Sequence, residues 1–195
     1  MVTQRQRAEV TQALLQDAFK DIALNQGVEA ATTQAVLAKT GLSKGALYHH
    51  FQSKSELVEA VYKAESHAAI MRALSKANAD SAAIIRLKEI CAAWLREVSK
   101  SDVRRILFDI GPSMIGVSRV VEIENSLSLK LFEELLSEAN DDGEIAIANP
   151  QLAARLINAY VGEVALQRRS NRKSAAATIG PVIDSILQSL ENSSE

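Results

Sequence analysis

Cysteine is almost absent from this sequence, because Cys91 is the single one among 195 residues. One cysteine excludes an internal disulfide and any zinc site built from several cysteines, and we expect it to pack as a small apolar side chain in a helix. The longest apolar runs are far shorter than the roughly 20 residues that a membrane-spanning helix needs. The first residues, which include Arg5 and Glu9, lack the apolar stretch of a signal peptide, so we expect a soluble, cytoplasmic protein.

Proline and glycine are also scarce, with three and eight residues, and aromatic residues make up 4% of the chain. The segments between them have apolar residues at helical spacing and no strand-like alternation, which predicts an all-α protein. With 47% hydrophobic and 24% charged residues, the chain can bury a sizeable core in one or two domains. The predicted boundaries are a helix over residues 81–98, a break at Gly111-Pro112, a helix over residues 118–140, and a helix from Gln151 that Asn149 and Pro150 begin.

Patterns typical of catalysis are missing as well. The three histidines are His49, His50 and His67, no glycine-rich phosphate loop precedes a lysine at the required spacing, and no serine lies in a nucleophile elbow. Neighbouring helix residues point about 100° apart, so His49 and His50 are not arranged to share a metal ion. The sequence therefore predicts neither an enzyme nor a metal or cofactor site.

The most informative stretch is residues 32–54, which read TTQAVLAKTGLSKGALYHHFQSK. A threonine, Thr32 or Thr33, can cap a first short helix, and Gly41 can end that helix in the left-handed conformation. Ser43 can cap a second helix, which opens with small and basic residues of the kind that fit a major groove. This is the arrangement of a helix-turn-helix DNA-binding motif.

Residues suited to binding a phosphate follow the second helix directly. Ser53 and Glu56 are spaced as a reciprocal capping box that begins a third helix, and the positive N-terminus of this helix carries Lys54. Residues 39–54 contain three lysines, two histidines and no acidic residue, although the whole chain has a net charge of −2. The positive charge is therefore local and extends over the length that one DNA half-site requires.

These residues resemble the signature of the tetracycline-repressor (TetR) family: a Thr-Thr helix start, a glycine turn, a Ser-Lys-Gly opening, a Leu-Tyr-x-His-Phe run and a lysine a few residues on. The resemblance covers roughly the first third of the chain. It implies an all-helical, homodimeric transcriptional regulator, usually a repressor. It also implies a helix-turn-helix DNA-binding domain over residues 1–54, whose last helix continues to about residue 75, and an effector-binding and dimerisation domain over residues 55–195.

The resemblance places DNA contacts on ten residues, namely Thr33, Gln34, Ser43, Lys44, Gly45, Ala46, Tyr48, His49, His50 and Lys54. Lys44 and Gln34 have the reach and the donors to read base edges, and Ala46 can touch a thymine methyl. The side chains of Tyr48, His50 and Lys54 are better suited to phosphates, whereas Gly45 lets the two backbones approach.

The sequence departs from the family pattern at a few positions. Leu37 stands where alanine is usual, and Thr40 stands where a small or apolar residue is usual. In the preceding helix Phe19 and Ala23 look exchanged, which roughly conserves the volume of the core and is therefore well tolerated. These changes bear on the packing angles of the helices and leave the predicted fold class unchanged.

Other interpretations of the same residues stay open. Tyr48 can be a packed aromatic residue with a satisfied hydroxyl. The chain can also be a helical protein-interaction or ligand-binding module whose basic helix docks an acidic partner without reading DNA sequence. Replacing Lys44 by alanine separates these interpretations, because only base reading predicts a loss of sequence preference.

The last two helices are the candidate dimer surface, since both have apolar residues at helical spacing. These residues are Leu152, Leu156, Val164, Ile179, Val182, Ile183, Ile186, Leu187 and Leu190. The pattern alone fits packing inside one subunit equally well, and the resemblance favours a four-helix dimer bundle. A two-fold dimer would present its recognition helices about 34 to 36 Å apart to a pseudo-palindromic operator. We expect Pro181 to kink or restart the final helix.

The resemblance also implies a small-molecule pocket in the C-terminal domain. Candidate lining residues are Trp94, Phe108, Met114, Phe132, Asn158, Tyr160 and Glu163. Because this set contains few charges, it favours a hydrophobic or aromatic effector. The expected partners are double-stranded operator DNA, a second copy of the chain and this effector, with no membrane.

Overall fold

The computed structural model describes residues 3–167 and 177–191, which are mainly helical. The helices are α1 (Gln4–Gln26), α2 (Thr33–Thr40), α3 (Lys44–His50), α4 (Lys54–Leu74), α5 (Ala83–Glu97), α6 (Ser101–Arg104), α7 (Gly111–Ile115), α8 (Val117–Asp141), α9 (Pro150–Leu166) and α10 (Ile179–Ser189), and a π-helical turn, Arg105–Ile110, joins α6 to α7. β-Type pairing within these two stretches is limited to a single bridge, between Ile147 and Glu191. The predicted all-α fold is confirmed.

None of the helices in the described part of the chain combines the length and the apolar character that crossing a membrane would demand.

The described residues form two compact units. The first unit contains the residues up to Ser66 together with Arg104–Val120, and the second contains His67–Val103 and the residues from Val121 on. The first unit is therefore discontinuous in sequence. Its second segment, Arg104–Val120, contains the π-helical turn and begins about forty residues after the first segment ends.

The core of the first unit is formed where α1 packs against α2 and α3. Leu15 is the first buried residue of α1, although the helix already begins at Gln4. Thr3 is its N-cap, and the Thr3 side chain accepts a hydrogen bond from the Gln6 N–H at 3.2 Å. Phe19 and Ala23, the two residues that look exchanged, are both buried in this core. The exchange therefore leaves the aromatic ring inside the unit.

The second unit is built around α5, which packs against α9 and α10. Its core includes Cys91, which is buried as predicted, and burial raises the pKa of this thiol to about 12. The N-terminus of α5 has Ala82 at its capping position, which offers no side-chain acceptor. The Glu144 carboxylate supplies one instead, accepting from the backbone N–H groups of Ala83 at 2.8 Å and Ile84 at 2.9 Å.

Most of the predicted helix boundaries are confirmed. The helices predicted over residues 81–98 and 118–140 correspond to α5 and α8. The side chain of Asn149 caps α9 by accepting from the Leu152 N–H at 2.9 Å, and Pro150 lies in the first turn. Pro181 lies in the first turn of α10, where its missing N–H leaves no intrahelical hydrogen bond unmade.

The break predicted at Gly111-Pro112 is wrong, because the helical path continues through it and ends at Gly116, where φ is 84°. The Gly111 N–H donates to the carbonyl of Ile106, five residues earlier, which is the hydrogen bond of a π-helix. Pro112 explains the wider turn, since a proline has no N–H to donate and its ring crowds the carbonyl four residues before it in an α-helix.

Candidate nucleic-acid interface

The first helix of the motif, α2, begins and ends as its sequence predicts. Thr32 is the N-cap, and its hydroxyl accepts from the Ala35 N–H at 3.1 Å. Gly41 ends the helix in the left-handed conformation, with φ 70° and ψ 8°, and its N–H donates to the Leu37 carbonyl at 2.9 Å. A side chain would strain this turn, so Gly41 fixes where α2 stops.

The second helix, α3, is short and has one fully buried side chain. Ser43 caps it by accepting from the Ala46 N–H at 3.1 Å. Leu47 is completely buried, and Phe51, which ends the helix, is 3% exposed. The opposite face of α3 is thereby left free for a partner.

The ten predicted DNA contacts all lie on α2, on α3 and its cap, or at the start of α4, within the first unit. Six of them are exposed, namely Gln34, Ser43, Lys44, Gly45, Tyr48 and His49. The other four, Thr33, Ala46, His50 and Lys54, are half-buried. Each residue therefore has surface that a partner can reach, and the DNA contacts themselves stay a prediction.

The positive charges of the motif have different surroundings. The Lys39 ammonium forms an ion pair with Asp21 of α1 at 2.9 Å, so part of its charge is neutralised within the protein. Lys44 Nζ lies 5.8 Å from the centre of the Tyr48 ring, a distance at which the ring face attracts a cation. Lys54 Nζ donates to the Val28 carbonyl at 3.4 Å. Lys44 and Lys54 thus have no carboxylate partner among these contacts.

The capping box at the start of α4 is displaced by one residue from the prediction. Ser53 Oγ accepts from the Glu56 N–H at 3.1 Å, as predicted. The Glu56 carboxylate, however, accepts from the N–H of Gln52 at 2.6 Å, and Gln52 precedes the cap. The Glu56 carboxylate therefore ties Gln52, in the α3–α4 connection, to α4. A hydrogen bond to a charged acceptor is of the stronger kind.

The two neighbouring histidines contact each other edge to face, with ring centres 5.1 Å apart. Over residues 3–167 and 177–191 the structure brings together no group of three or more histidine, cysteine, aspartate or glutamate side chains that could hold a metal ion.

The segment Arg104–Val120 forms hydrogen bonds with α1 and α4 that its sequence does not predict. Arg105 donates to the carbonyl of Leu24 at 2.5 Å, near the end of α1. Arg119 binds both carboxylate oxygens of Glu59 on α4, at 3.0 and 2.6 Å, and Lys63 binds the same carboxylate at 2.6 Å. These hydrogen bonds, first from Arg119 and then from Lys63, lower the pKa of Glu59 to about 2.

Gly111, in the segment Arg104–Val120, packs closely against the ring of Tyr62 on α4. Tyr62 is 2% exposed, and a Cβ added at Gly111 would lie 2.4 Å from its ring atom Cδ2. Phe19, Ile106 and Ile110 lie beside this contact around an apolar cavity of about 10 Å³. A space of this size holds at most about one water molecule, so it is too small for an effector.

The seven predicted effector residues are divided between the two units. Phe108 and Met114 belong to the first unit, and both are half-buried. The other five belong to the second unit: Phe132 is buried, Trp94, Asn158 and Tyr160 are half-buried, and Glu163 is exposed.

Three of these five residues bind neighbouring side chains. Asn158 accepts from the Ser128 hydroxyl at 2.9 Å and donates to Asn125 at 3.1 Å, and it thereby links α9 to α8. The Tyr160 hydroxyl lies 3.0 Å from that of Thr178, and Glu163 accepts from the Gln167 side chain at 2.8 Å. The effector pocket stays a prediction.

The nine predicted dimer residues fall into two groups. Val164, Ile179, Ile183 and Leu187 are buried within their own unit, where α9 and α10 pack against each other and against α5. The others keep accessible surface: Leu152 and Leu156 are each 42% exposed, and Val182, Ile186 and Leu190 are half-buried. The buried group fits packing inside one subunit, and for the accessible group the dimer surface stays a prediction.

Comparisons with known proteins agree with this architecture. The family described as "Bacterial regulatory proteins, tetR family" matches residues 17–61, and "Tetracyclin repressor-like, C-terminal domain" matches residues 84–190. Over 60 residues the chain is 37% identical to the HTH-type transcriptional regulator SrpR of Pseudomonas putida, a match that covers 31% of this chain and 28% of that regulator.

Two solved structures are similar over nearly the whole chain. A TetR-family transcriptional regulator from Pectobacterium atrosepticum has a TM-score of 0.73 and 20% identity, with 97% of this chain and 98% of that chain covered. GusR of Salmonella enterica has a TM-score of 0.71 and 21% identity, with 96% and 98% covered. These structures establish the fold, and the family matches extend over both the helix-turn-helix and the C-terminal helices. The chain belongs to the TetR family of DNA-binding bacterial transcriptional regulators.

Proposed function

We propose that this regulator is a cytoplasmic, homodimeric repressor that binds a pseudo-palindromic operator through α3 and is released by a small hydrophobic or aromatic molecule. The observation that carries the proposal is the free face at the start of α3. Ser43, Lys44 and Gly45 are exposed there, while Leu47 anchors the helix from the other side. A helix that is anchored on one face and bears small and basic groups on the other fits a major groove.

The ten predicted contact residues would have different roles, according to the chemistry of their side chains. Lys44 and Gln34 would donate to base edges, and Ala46 would touch a thymine methyl. Tyr48, His50 and Lys54 would bind phosphates, which fix the register of the protein on DNA without reading its sequence. Thr33, Ser43 and His49 would add further contacts of this positioning kind.

Gly45 supports this assignment because no contact within residues 3–167 and 177–191 requires a glycine there. A Cβ at this position would meet only Ser43 Oγ, at 3.8 Å, and the residue has no positive φ. Gly45 is the second residue of α3, and a glycine there gives the unfolded chain more conformational freedom than alanine would, which disfavours folding. A close approach by DNA would account for a residue that destabilises the helix and serves no internal packing.

Dimerisation would use the accessible residues of α9 and α10. Leu152, Leu156, Val182, Ile186 and Leu190 retain apolar surface after the unit has folded. Val164 and Ile183 would act indirectly, by fixing the two helices on the core from inside. A two-fold arrangement would set the two α3 helices about 34 to 36 Å apart, one turn of DNA.

We propose further that residues 1–54 act as the DNA-binding domain and residues 55–195 as the effector-binding and dimerisation domain. An effector would change the separation of the two recognition helices, so that they no longer match successive grooves. Spin labels on α3 of each subunit test this mechanism. An effector that releases DNA should change the distance between the labels, and an unchanged distance would exclude the mechanism.

Selection from genomic DNA tests the function directly. The purified protein is incubated with sheared genomic DNA from its source, and the fragments retained at moderate salt are sequenced, because specific and non-specific binding separate there. We expect a short palindromic motif. Retention without a motif would instead favour a basic interaction module that does not read sequence.

Two variants sharpen this experiment. Lys44→Ala should lose preference for the motif, while Lys54→Ala should weaken binding to all DNA alike. Lys76→Ala is the matched control, because Lys76 is exposed and lies in the second unit. If Lys44→Ala keeps the wild-type preference among sequences, the proposed base reading is wrong.

A further inference from the structure

We propose that Thr40 is a positioning residue for DNA reading, because its hydroxyl fixes the turn that sets the direction of α3. This inference rests on the proposed function, in which α3 is the recognition helix. It concerns a residue that makes no DNA contact itself and that departs from the small or apolar residue usual at this position in the family.

Few internal contacts hold α3 in one orientation. The helix has seven residues, and Leu47 is the one that the structure buries completely. A two-turn helix with a single buried side chain can pivot about it unless both ends are held. Phe51 holds the C-terminal end, since it is buried and its N–H donates to the Leu47 carbonyl at 2.9 Å. The direction of the N-terminal end, which carries Lys44, therefore depends on the turn from Gly41 to Ser43.

The Thr40 hydroxyl connects this turn to α2. Its Oγ1 donates to the Val36 carbonyl at 2.9 Å within α2, and it accepts from the Leu42 N–H at 3.4 Å within the turn. A hydroxyl can do both at once, because it has one donor and two acceptor positions. Acceptance from the N–H two residues ahead is the contact by which serine and threonine stabilise turns.

The end of α2 is a firm base for this contact. Val36 is completely buried, and Lys39, next to Thr40, forms the ion pair with Asp21 that ties the last turn of α2 to α1. The Thr40 hydroxyl therefore links Leu42, in the turn, to a helix that is itself held on α1. Because Ser43 and Lys44 follow Leu42 directly, their positions depend on this link. Recognition sites need side chains held to within about 0.5 Å and 10 to 20°, so a looser turn would reduce base reading before it reduced folding.

Two variants of nearly the same shape as threonine test the proposal. Thr40→Val removes the hydroxyl, and Thr40→Ser keeps it while removing the methyl group. Affinity is measured for the motif recovered from genomic DNA and for a scrambled duplex of equal length. We expect Thr40→Val to bind the motif about fivefold more weakly, as one lost hydrogen bond allows. We expect Thr40→Ser to match the wild type, and the scrambled duplex to show no difference.

Hydrogen exchange of the Leu42 amide provides a readout without DNA. It should be faster in Thr40→Val than in the wild type and unchanged in Thr40→Ser. Wild-type motif affinity in Thr40→Val, or equal losses in both variants, would overturn the proposal, because the hydroxyl would then not be the determinant. If Thr40→Val does not fold, Thr40→Ala takes its place with the same expected weakening. Lys44→Ala distinguishes failure of the proposed function from failure of the Thr40 proposal. If Lys44→Ala retains full sequence preference, the proposed function is wrong. If Lys44→Ala loses it and Thr40→Val binds the motif like the wild type, only the Thr40 proposal is wrong.

Discussion

Gly45 offers a test that separates DNA binding from folding at a single residue. Gly45→Ala should raise the free energy of unfolding by about 0.4 to 1 kcal/mol, because alanine restricts the unfolded chain and its Cβ meets only Ser43 Oγ at 3.8 Å. The same methyl group should weaken motif binding by at least about tenfold if DNA approaches the backbone there. Urea unfolding and fluorescence anisotropy measure the two effects. A variant that is more stable and binds with wild-type affinity would show that DNA does not come close to Gly45.

Glu59 should make part of the stability depend on pH. Its pKa in the folded protein is about 2, below the ordinary 4.5, because Arg119 and Lys63 bind the ionised carboxylate. The stabilisation is therefore complete above about pH 4.5 and is lost as the pH falls towards 2. We expect about 1 to 2 kcal/mol at neutral pH, since the exposure of Arg119 and Lys63 reduces the effect through solvent screening.

Urea unfolding at pH 6 and pH 3 measures this contribution. Glu59→Gln should be less stable than the wild type at pH 6, and the difference should shrink at pH 3. Glu134→Gln is the control, because Glu134 is largely exposed and its contact with Lys130 is 3.6 Å long. An equal difference between Glu59→Gln and wild type at both pH values would show that the ionised carboxylate is not what stabilises the fold.

At the scale of elements, the π-helical turn depends on glycine next to Tyr62. Gly111→Ala should destabilise the protein by roughly 1 to 3 kcal/mol, because its Cβ would overlap the ring of a tyrosine that is 2% exposed, and the ring or the backbone would have to shift. A double-mutant cycle with Tyr62→Leu measures the coupling: the loss caused by Gly111→Ala should shrink when the ring is absent.

Gly162→Ala is the matched control, since a Cβ there has no atom within 4 Å. It should leave the stability of the monomer unchanged or raise it slightly. If Gly111→Ala lowers stability by the same amount with and without the Tyr62 ring, the overlap is not the cause.

The elements that could be predicted from sequence are those whose ends are set locally. Thr32, Gly41 and Ser43 each act within four residues along the chain, so their capping roles can be inferred from residue type and spacing. The cap of α5 could not be predicted, because Glu144 lies about sixty residues from the N–H groups that it binds. The continuation of the helix through Gly111-Pro112 could not be predicted either, because a proline usually ends or kinks a helix and the close approach of Gly111 to Tyr62 is a tertiary contact.

The same distinction applies to the candidate interface. The ten predicted contact positions follow from a contiguous motif, and the structure leaves each of them at least partly accessible. The contacts of Asp21 and Thr40 within the motif could not be predicted from the sequence, because an aspartate on one helix and a threonine at the end of another are common. The predicted effector residues have the weakest sequence support, because Phe108 and Trp94 are ordinary apolar residues in sequence, and the structure places these two in different units.

For the whole molecule, the proposed dimer predicts different results for accessible and buried positions of the apolar stripes. Leu156→Glu should fold normally and yield a monomer, since Leu156 is 42% exposed in the single chain. Ile183→Glu should prevent folding, because a charge would enter the core. Operator affinity of Leu156→Glu should fall by at least about a hundredfold, as the second half-site would no longer be bound by a linked subunit.

Sedimentation and circular dichroism distinguish these outcomes. Ile85→Glu is the control for an added surface charge, because Ile85 is 47% exposed and lies on α5, outside the predicted interface. It should remain a dimer. A dimer of unchanged strength in Leu156→Glu would mean that this part of α9 does not form the interface.

The discontinuity of the first unit has a consequence during protein synthesis. Phe19 and Tyr62 are covered by Ile106 and Gly111, which belong to the segment Arg104–Val120. Ribosomes add about 5 to 20 residues per second, so synthesis of this segment begins roughly 2 to 8 seconds after that of Ser66. During that interval the nascent helix-turn-helix has an open apolar side that chaperones can bind. A gene fragment that stops before Arg104 would encode every predicted DNA contact and still leave this side uncovered.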